Sequence, residues 1–347
     1  MEALMAVTFI VGSGRCGSTL VSRLLRRHPV VLSVSEFFAA LTVRRDGMPL
    51  GELDGAAFWE LLSANDAYLD AMVRDGLRAP ELTYPYESGR FRPETGVPMI
   101  SHMTLPMLSQ DPDRLFDELA AEVPAWPARP AGQQYTAFFE LLADRLGRPV
   151  VVERSGASLS LVPELRRHFP GARFVHIHRG GPDCADSMSR HVGFRLTALA
   201  RQAARLAGVA SPAQLNPETM ARVPDELVDL LVPPFDARAF HDYRIPAQVF
   251  GEMWSEMIIE GCQALRAVPA ESRTALSFES LLEDPERELT RLARFLGVAA
   301  DPAWLTAARA EIDPSRTRGA ARLEPAVREA LQAACEPGEK TLHAFLG

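Results

Sequence analysis

The chain has 347 residues, a hydrophobic fraction of 47% and a formal net charge of -8 at pH 7, with a mean hydropathy of -0.04. This composition supports a sizeable core, and the acidic balance argues against a broad nucleic-acid surface while leaving room for a local basic pocket. Four cysteines, Cys16, Cys184, Cys262 and Cys335, lie too far apart in sequence to form a metal-ligand pair and fit free thiols in a reducing compartment. No apolar run reaches membrane-spanning length, and the opening Met1–Val11, acidic at Glu2, does not fit a signal peptide. The expectation is a cytoplasmic protein with neither a membrane nor a nucleic-acid partner.

The first 36 residues organise the reading. Ala6–Val11 is a short apolar, β-branched run, which predicts a buried parallel strand. Gly12-Ser13-Gly14-Arg15-Cys16-Gly17-Ser18-Thr19 follows at once, and Leu20–Arg27 repeats apolar residues at helical spacing until His28-Pro29 ends it. A strand, a glycine loop and a helix N-terminus form an anion cradle, because unpaired backbone N–H groups and the positive end of the helix dipole face one point. The run Val30–Val34 then delivers Glu36 to the end of a neighbouring strand.

Two familiar loops fit this stretch incompletely. Gly12, Gly14 and Gly17 match the dinucleotide fingerprint, with Glu36 near the ribose position roughly 20 residues on. Gly12, Gly17 and Thr19 also match a triphosphate-binding loop, but Ser18 stands where that loop carries its lysine. A cation, Arg15, lies inside the loop instead. A cation beside hydroxyls suits a donor that leaves a charged phosphate behind when it gives up a group.

Further along, residues 37–148 read as a helical insertion with candidate helices at Asp54–Ser63, Ala67–Arg78, Asp113–Glu122 and Gln133–Leu146, separated by proline-rich connectors. Phe37, Phe38, Tyr84, Tyr86 and Phe91 are candidates to line an acceptor pocket, although ordinary packing accounts for most such aromatics. Strands are expected at Pro149–Arg154, Gly171–Arg179 and Thr274–Glu279, with a crossover helix at Ser158–Phe169. A turn at Gly180–Asp183 puts Pro182 at a first helical position. Residues 190–268 read as a helical cover that contains a long helix, Ala247–Val268, with Trp254 on its core face, and a last helix is expected at Glu324–Cys335. Strands alternating with helices predict an α/β fold with a mostly parallel central sheet, helices on its flanks and a helical insertion or lid, all in one domain spanning 1–347. Arg15, Glu36, Arg154 and Arg179 all fall at carboxyl ends of strands, where such sheets bind ligands.

These segments resemble the sulfotransferases that use 3′-phosphoadenosine-5′-phosphosulfate (PAPS). That family carries a loop of the form G-x-P-[KR]-S-G-T-[ST], then a helix, "HP", a strand and often a glutamate; here Gly14 replaces the proline and Cys16 the serine. Its second motif, a strand ending in arginine with a serine eight positions on, is matched by Arg179 and Ser187, while Gly180 and Gly181 replace the usual Asp-Pro. Glu153-Arg154-Ser155 takes the place of a lysine-bearing phrase, and Phe278–Pro285 resembles a mainly architectural "Y-E-D-L-L-x-x-P".

The resemblance implies a P-loop-like fold and sulfuryl transfer from PAPS to a hydroxyl of a small-molecule, carbohydrate or carrier-bound acceptor, leaving adenosine 3′,5′-bisphosphate (PAP) and requiring no metal. Glu36 is the implied general base, with His102 as a rival. Gly14, Arg15, Cys16, Gly17, Ser18 and Thr19 would hold the 5′-phosphosulfate. Arg179 and Ser187 would hold the 3′-phosphate, helped by Arg316 or Arg318 from a basic C-terminal loop, and Arg154 would bridge donor and sulfuryl group. An NAD(P)-binding Rossmann oxidoreductase, which leaves Arg179 and Ser187 unexplained, and a nucleotide kinase, which predicts Mg²⁺-dependent ATP turnover despite Ser18, are the alternatives.

Overall fold

The computed structural model describes residues 6–44, 47–313 and 319–347. Its strands, in chain order, are β1 (Thr8–Val11), β2 (Val31–Ser35), β3 (Glu52–Leu53), β4 (Arg129–Pro130), β5 (Val150–Arg154), β6 (Arg173–His178) and β7 (Arg273–Ser277). Five of them form one sheet in the order β2-β5-β1-β6-β7, with every neighbouring pair parallel. The strands β3 and β4 pair separately as a short antiparallel ribbon. All four residues of β1 and all five of β2 are buried, as expected of strands covered on both faces. The architecture is α/β, a parallel central sheet flanked by helices. The chain leaves β1 for β2 on one side and later crosses from β5 to β6 on the other, which opens a crevice at the carboxyl ends around β1.

The helix after β1, Ser18–Arg26, is fixed to the neighbouring strand by hydroxyls. Ser22 Oγ lies 2.8 Å from Ser33 Oγ and 2.6 Å from Ser35 Oγ, so three buried polar groups satisfy one another. This contact sets the register between the glycine loop and the residue after β2, Glu36.

Among the described residues, the buried hydrophobic side chains form two clusters. The first surrounds the sheet and includes Phe9, Phe38, Phe138, Phe169 and Phe174. The second joins part of the expected insertion (Leu69, Met72, Leu82, Met103) to part of the expected cover (Leu199, Ala203, Leu227, Phe240). The insertion is thus divided between the clusters, since Phe58, Leu115 and Phe139 pack on the sheet. The long helix Ala247–Arg266 also belongs to the sheet cluster, with Trp254 fully buried in it.

Several boundaries differ from expectation for identifiable reasons. The helix expected at Ala67–Arg78 stops at Arg74, ahead of Gly76, whose φ of 88° no helix accommodates. The crossover helix divides into a 3₁₀ turn, Ser158–Leu161, and an α-helix, Val162–His168, with Pro163 in its first turn. The expected turn at Gly180–Asp183 is already helical from Gly181, so Pro182 is the second helical residue. The last helix runs Pro325–Leu346 straight through Pro337. Packing outweighs the lost hydrogen bond there, because Gly338 lies so close to the Ala247–Arg266 helix that an added Cβ would meet Ser255 Cα at 2.7 Å.

Candidate active site

A cavity of about 810 Å³ lies at the carboxyl ends of the sheet strands. That volume falls within the range of small-ligand pockets, roughly 300–1,000 Å³. Gly14, Arg15, Gly17, Ser18, Thr19, Glu36, Arg154, Arg179 and Ser187 all line it. Loops more than a hundred residues apart in sequence therefore share one space.

The glycine loop is shaped by close approach. Gly17, at φ 93°, caps the helix Ser18–Arg26, and a Cβ there would lie 2.1 Å from the Phe278 ring. Gly14, at φ 78°, faces Phe194 in the same way at 2.5 Å. Both rings line the cavity, so the loop backbone rests on aromatic walls. Arg15 stands between the glycines in the left-handed region at φ 56°. Its Nε lies 3.2 Å from Ser187 Oγ and its Nη1 3.3 Å from Glu81 Oε1. Cys16 does not share this orientation: its thiol is fully buried against Gly12, is pushed up in pKa chiefly by burial, and does not line the cavity. Only its backbone remains available to an anion.

Glu36 also adopts the left-handed region, φ 58°, at the junction of β2 and the helix Phe37–Leu41. Its amide donates to the Arg154 carbonyl at 2.8 Å, which holds the turn against β5. Its carboxylate accepts a hydrogen bond from the Gly156 amide at 2.8 Å and forms a buried ion pair with Arg154 Nη1. Arg154 is therefore a partner of Glu36 at the cavity wall. Beneath them, burial pushes the Glu153 carboxyl up to about 8, opposed by the Ser155 hydroxyl and assisted by the Glu36 charge. Ser155 Oγ donates to Glu153 at 2.6 Å and accepts from the Ala39 amide at 2.9 Å.

At the far side, the Arg179 guanidinium carbon lies 4.9 Å from the centroid of the Phe278 ring. The Phe278–Pro285 phrase, expected to be architectural, thus supplies a wall of the site. Arg316 and Arg318 lie outside the described residues. Their neighbours Gly319 and Arg322 line the cavity, and the Ala320 amide donates to Asp183 at 2.8 Å.

His102 is fully buried and does not line the cavity, with Nδ1 2.8 Å from Tyr86 Oη and Nε2 3.6 Å from Asp70. Phe37, Phe38, Tyr84, Tyr86 and Phe91 pack in the two hydrophobic clusters or against them, and none lines the cavity. In their place the insertion contributes Glu81, which sequence reasoning passed over inside a proline connector. Glu81 Oε2 lies 2.9 Å from His191 Nε2. Burial alone would raise the Glu81 carboxyl, but the hydrogen bond and charge of His191, with Arg15 beyond, hold it below its ordinary value. His191 lies just past the helix that carries Ser187, as the extended N-cap of the helix Val192–Ala207, so no helical spacing signalled it in the sequence.

Residues 8–224, more than half of the chain, match the family model described as "Sulfotransferase family". The chain belongs to the sulfotransferase family. Among solved structures, this sulfotransferase is similar to the sulfotransferase domain from the curacin biosynthetic pathway, at 14% identity and TM-score 0.48, covering 96% of this chain and 99% of that one. A sulfotransferase from Alicyclobacillus acidocaldarius matches at 16% identity and TM-score 0.40, covering 99% and 96%. One from Mycobacterium avium matches at 13% identity and TM-score 0.44, covering 98% and 77%. The search of curated proteins finds no match. Family membership rests on the family model, and it does not favour the oxidoreductase or kinase alternatives.

Proposed function

We propose that this sulfotransferase moves a sulfuryl group from PAPS to an acceptor hydroxyl, with Glu36 as general base. The carrying observation is the convergence of the Gly14–Thr19 loop with Arg179 and Ser187 on one cavity, where Arg15 Nε approaches Ser187 Oγ to 3.2 Å. A nucleotide with phosphate at both ends matches this donor set. Backbone N–H groups of the loop, with Ser18, Thr19 and Arg15, suit the 5′ end, and Arg179 with Ser187 suits the 3′-phosphate. Gly14 and Gly17 leave the loop without side chains where backbone must approach the anion.

In this mechanism the acceptor oxygen bonds to sulfur as the bond from sulfur to the 5′-phosphate oxygen breaks. Glu36 takes the acceptor proton, and PAP departs. The ion pair to Arg154 and the bond from the Gly156 amide fix the direction of the Glu36 carboxylate, and because a carboxylate is a weak base, proton transfer comes late, as the new S–O bond forms. Arg154, beside Glu36, is placed to receive negative charge developing on the sulfuryl oxygens, and Arg15 to receive that on the leaving phosphate.

Calorimetry with PAP and with NADH tests the donor. Tight PAP binding that weakens in Arg179→Ala and Ser187→Ala is expected; NADH binding without PAP binding overturns the reading. Glu36→Gln should keep PAP affinity and lower turnover at least tenfold, about 1.4 kcal/mol of barrier. Unchanged turnover removes Glu36 from the mechanism.

A further inference from the structure

The cavity extends beyond the donor-binding residues to a wall built by the insertion. Leu69, Met72, Leu82 and Met103, from three separate stretches of residues 67–103, line it while remaining only 7%, 6%, 3% and 7% exposed. Their outer surfaces pack in the second hydrophobic cluster, so the wall is backed by a core. The one charged side chain of this stretch that reaches the cavity, Glu81, is already engaged by Arg15 and His191. Tyr68, at the rim, keeps its proton, since burial and the Asp66 charge push its hydroxyl up to about 12.

A sugar laid against Leu69, Met72, Leu82 and Met103 would strip water from several hydroxyls and find no hydroxyl, amide or charged partner on those four side chains, at a cost of roughly 1–3 kcal/mol for each group left unpaired. An alkyl body loses nothing there and gains by leaving water. We infer that the acceptor is an aliphatic alcohol, a hydroxyl carried on an alkyl or acyl chain, seated against Leu69, Met72, Leu82 and Met103. This specificity rests on the sulfotransferase reading above, which presents the acceptor oxygen to Glu36. Methionines suit such a wall because their unbranched thioethers adapt to chains of different shape.

The test measures PAP release from PAPS with 1-butanol, 1-hexanol, 1-octanol and methyl glucoside as acceptors. The expected result is a rise in kcat/KM of about three- to fourfold per added CH₂ along the alkanols, from the transfer energy of a methylene, and no turnover of the glucoside. A flat series, or a glucoside better than 1-octanol, overturns the inference. Met72→Asp should cut kcat/KM for 1-octanol at least tenfold while PAP affinity, read by calorimetry, stays within twofold. If Met72→Asp does not fold, Leu82→Ala should flatten the chain-length slope with PAP affinity again retained; an undiminished slope in Leu82→Ala overturns the placement. A donor-free arm separates the two claims, using displacement of the neutral fluorophore N-phenyl-1-naphthylamine by the same alkanols. Displacement that strengthens with chain length in a protein that binds no PAP overturns the enzymatic reading and supports an aliphatic ligand for the wall. No displacement in a protein that binds PAP overturns the aliphatic assignment.

Discussion

At the scale of single residues, Glu81 shapes the electrostatics around Arg15. Its carboxylate stands 3.3 Å from the Nη1 of Arg15, the guanidinium proposed to grip the donor's 5′ end. An incoming phosphate and this carboxylate compete for the same cation. Glu81→Gln should therefore tighten PAP binding several-fold at low ionic strength, and the gain should shrink in 0.5 M salt as the charges are screened. Weaker PAP binding in that variant would show that Glu81 instead holds Arg15 in place for the donor. Glu36 differs from Glu81 in its setting, with a side chain only 3% exposed and paired to an equally buried Arg154. Removing its charge leaves a buried guanidinium uncompensated, so Glu36→Gln should lower Tm as well as turnover. The amide of Gln still accepts from the Gly156 N–H, which limits the damage relative to Glu36→Ala.

At the scale of elements, the site depends on how the glycine loop sits on its aromatic supports. Gly17→Ala places a methyl group 2.1 Å from the Phe278 ring at a backbone φ of 93°. Overpacking and left-handed strain together should cost about 2 kcal/mol or more, seen as a lower midpoint in urea unfolding, and should weaken PAP binding by tilting the loop. A midpoint within error of the native chain would show that Phe278 moves aside freely. The hydroxyl cluster of Ser22, Ser33 and Ser35 has a related role. Because it joins the first helix to β2, it couples the position of the loop to that of Glu36.

At the scale of the whole molecule, the buried carboxyl of Glu153 gives stability a pH dependence. Its folded-state value of about 8 lies above the ordinary carboxylate value of 4.5. Between those values the unfolded chain has released the proton and the folded chain retains it, so unfolding is favoured as pH rises. The stability that the protonated form contributes is complete below about pH 4.5 and declines through about pH 8. Thermal unfolding from pH 5 to 8.5 should show Tm falling over this window, and Glu153→Gln should flatten the fall. An equal slope in the variant would assign the effect to other groups. The cavity also draws its lining from the surroundings of both hydrophobic clusters, from residues at the ends of the sheet strands and from the 68–103 and 193–197 segments.

How much of this was legible follows from the range of the forces involved. The parallel strands, the loop at Gly12–Thr19, the helix after it, the positions of Glu36, Arg154 and Arg179 at strand ends, and Ser187 on the helix that follows Arg179 were readable from sequence. Each depends on local periodicity, glycine placement and the topological rule that ligands meet the carboxyl ends of strands. Those residues do meet in one cavity. The aromatic candidates for the acceptor wall failed because composition does not say which core a ring joins, and here five rings entered the packing while Phe194 and Phe278 reached the site. Cys16 turned inward, fully buried between Arg15 and Gly17, which both lie in the left-handed region, and no motif encodes that direction.

The sequence by itself determined the α/β order and the strand, glycine loop and helix N-terminus at Thr8–Arg26, because these arise between residues a few positions apart. Only the tertiary structure decided that Glu81 would meet Arg15 and His191, and that Leu69, Met72, Leu82 and Met103 would line the same cavity as Glu36. Those contacts join segments whose separation along the chain carries no record of their nearness. Packing of the two hydrophobic clusters brings them together.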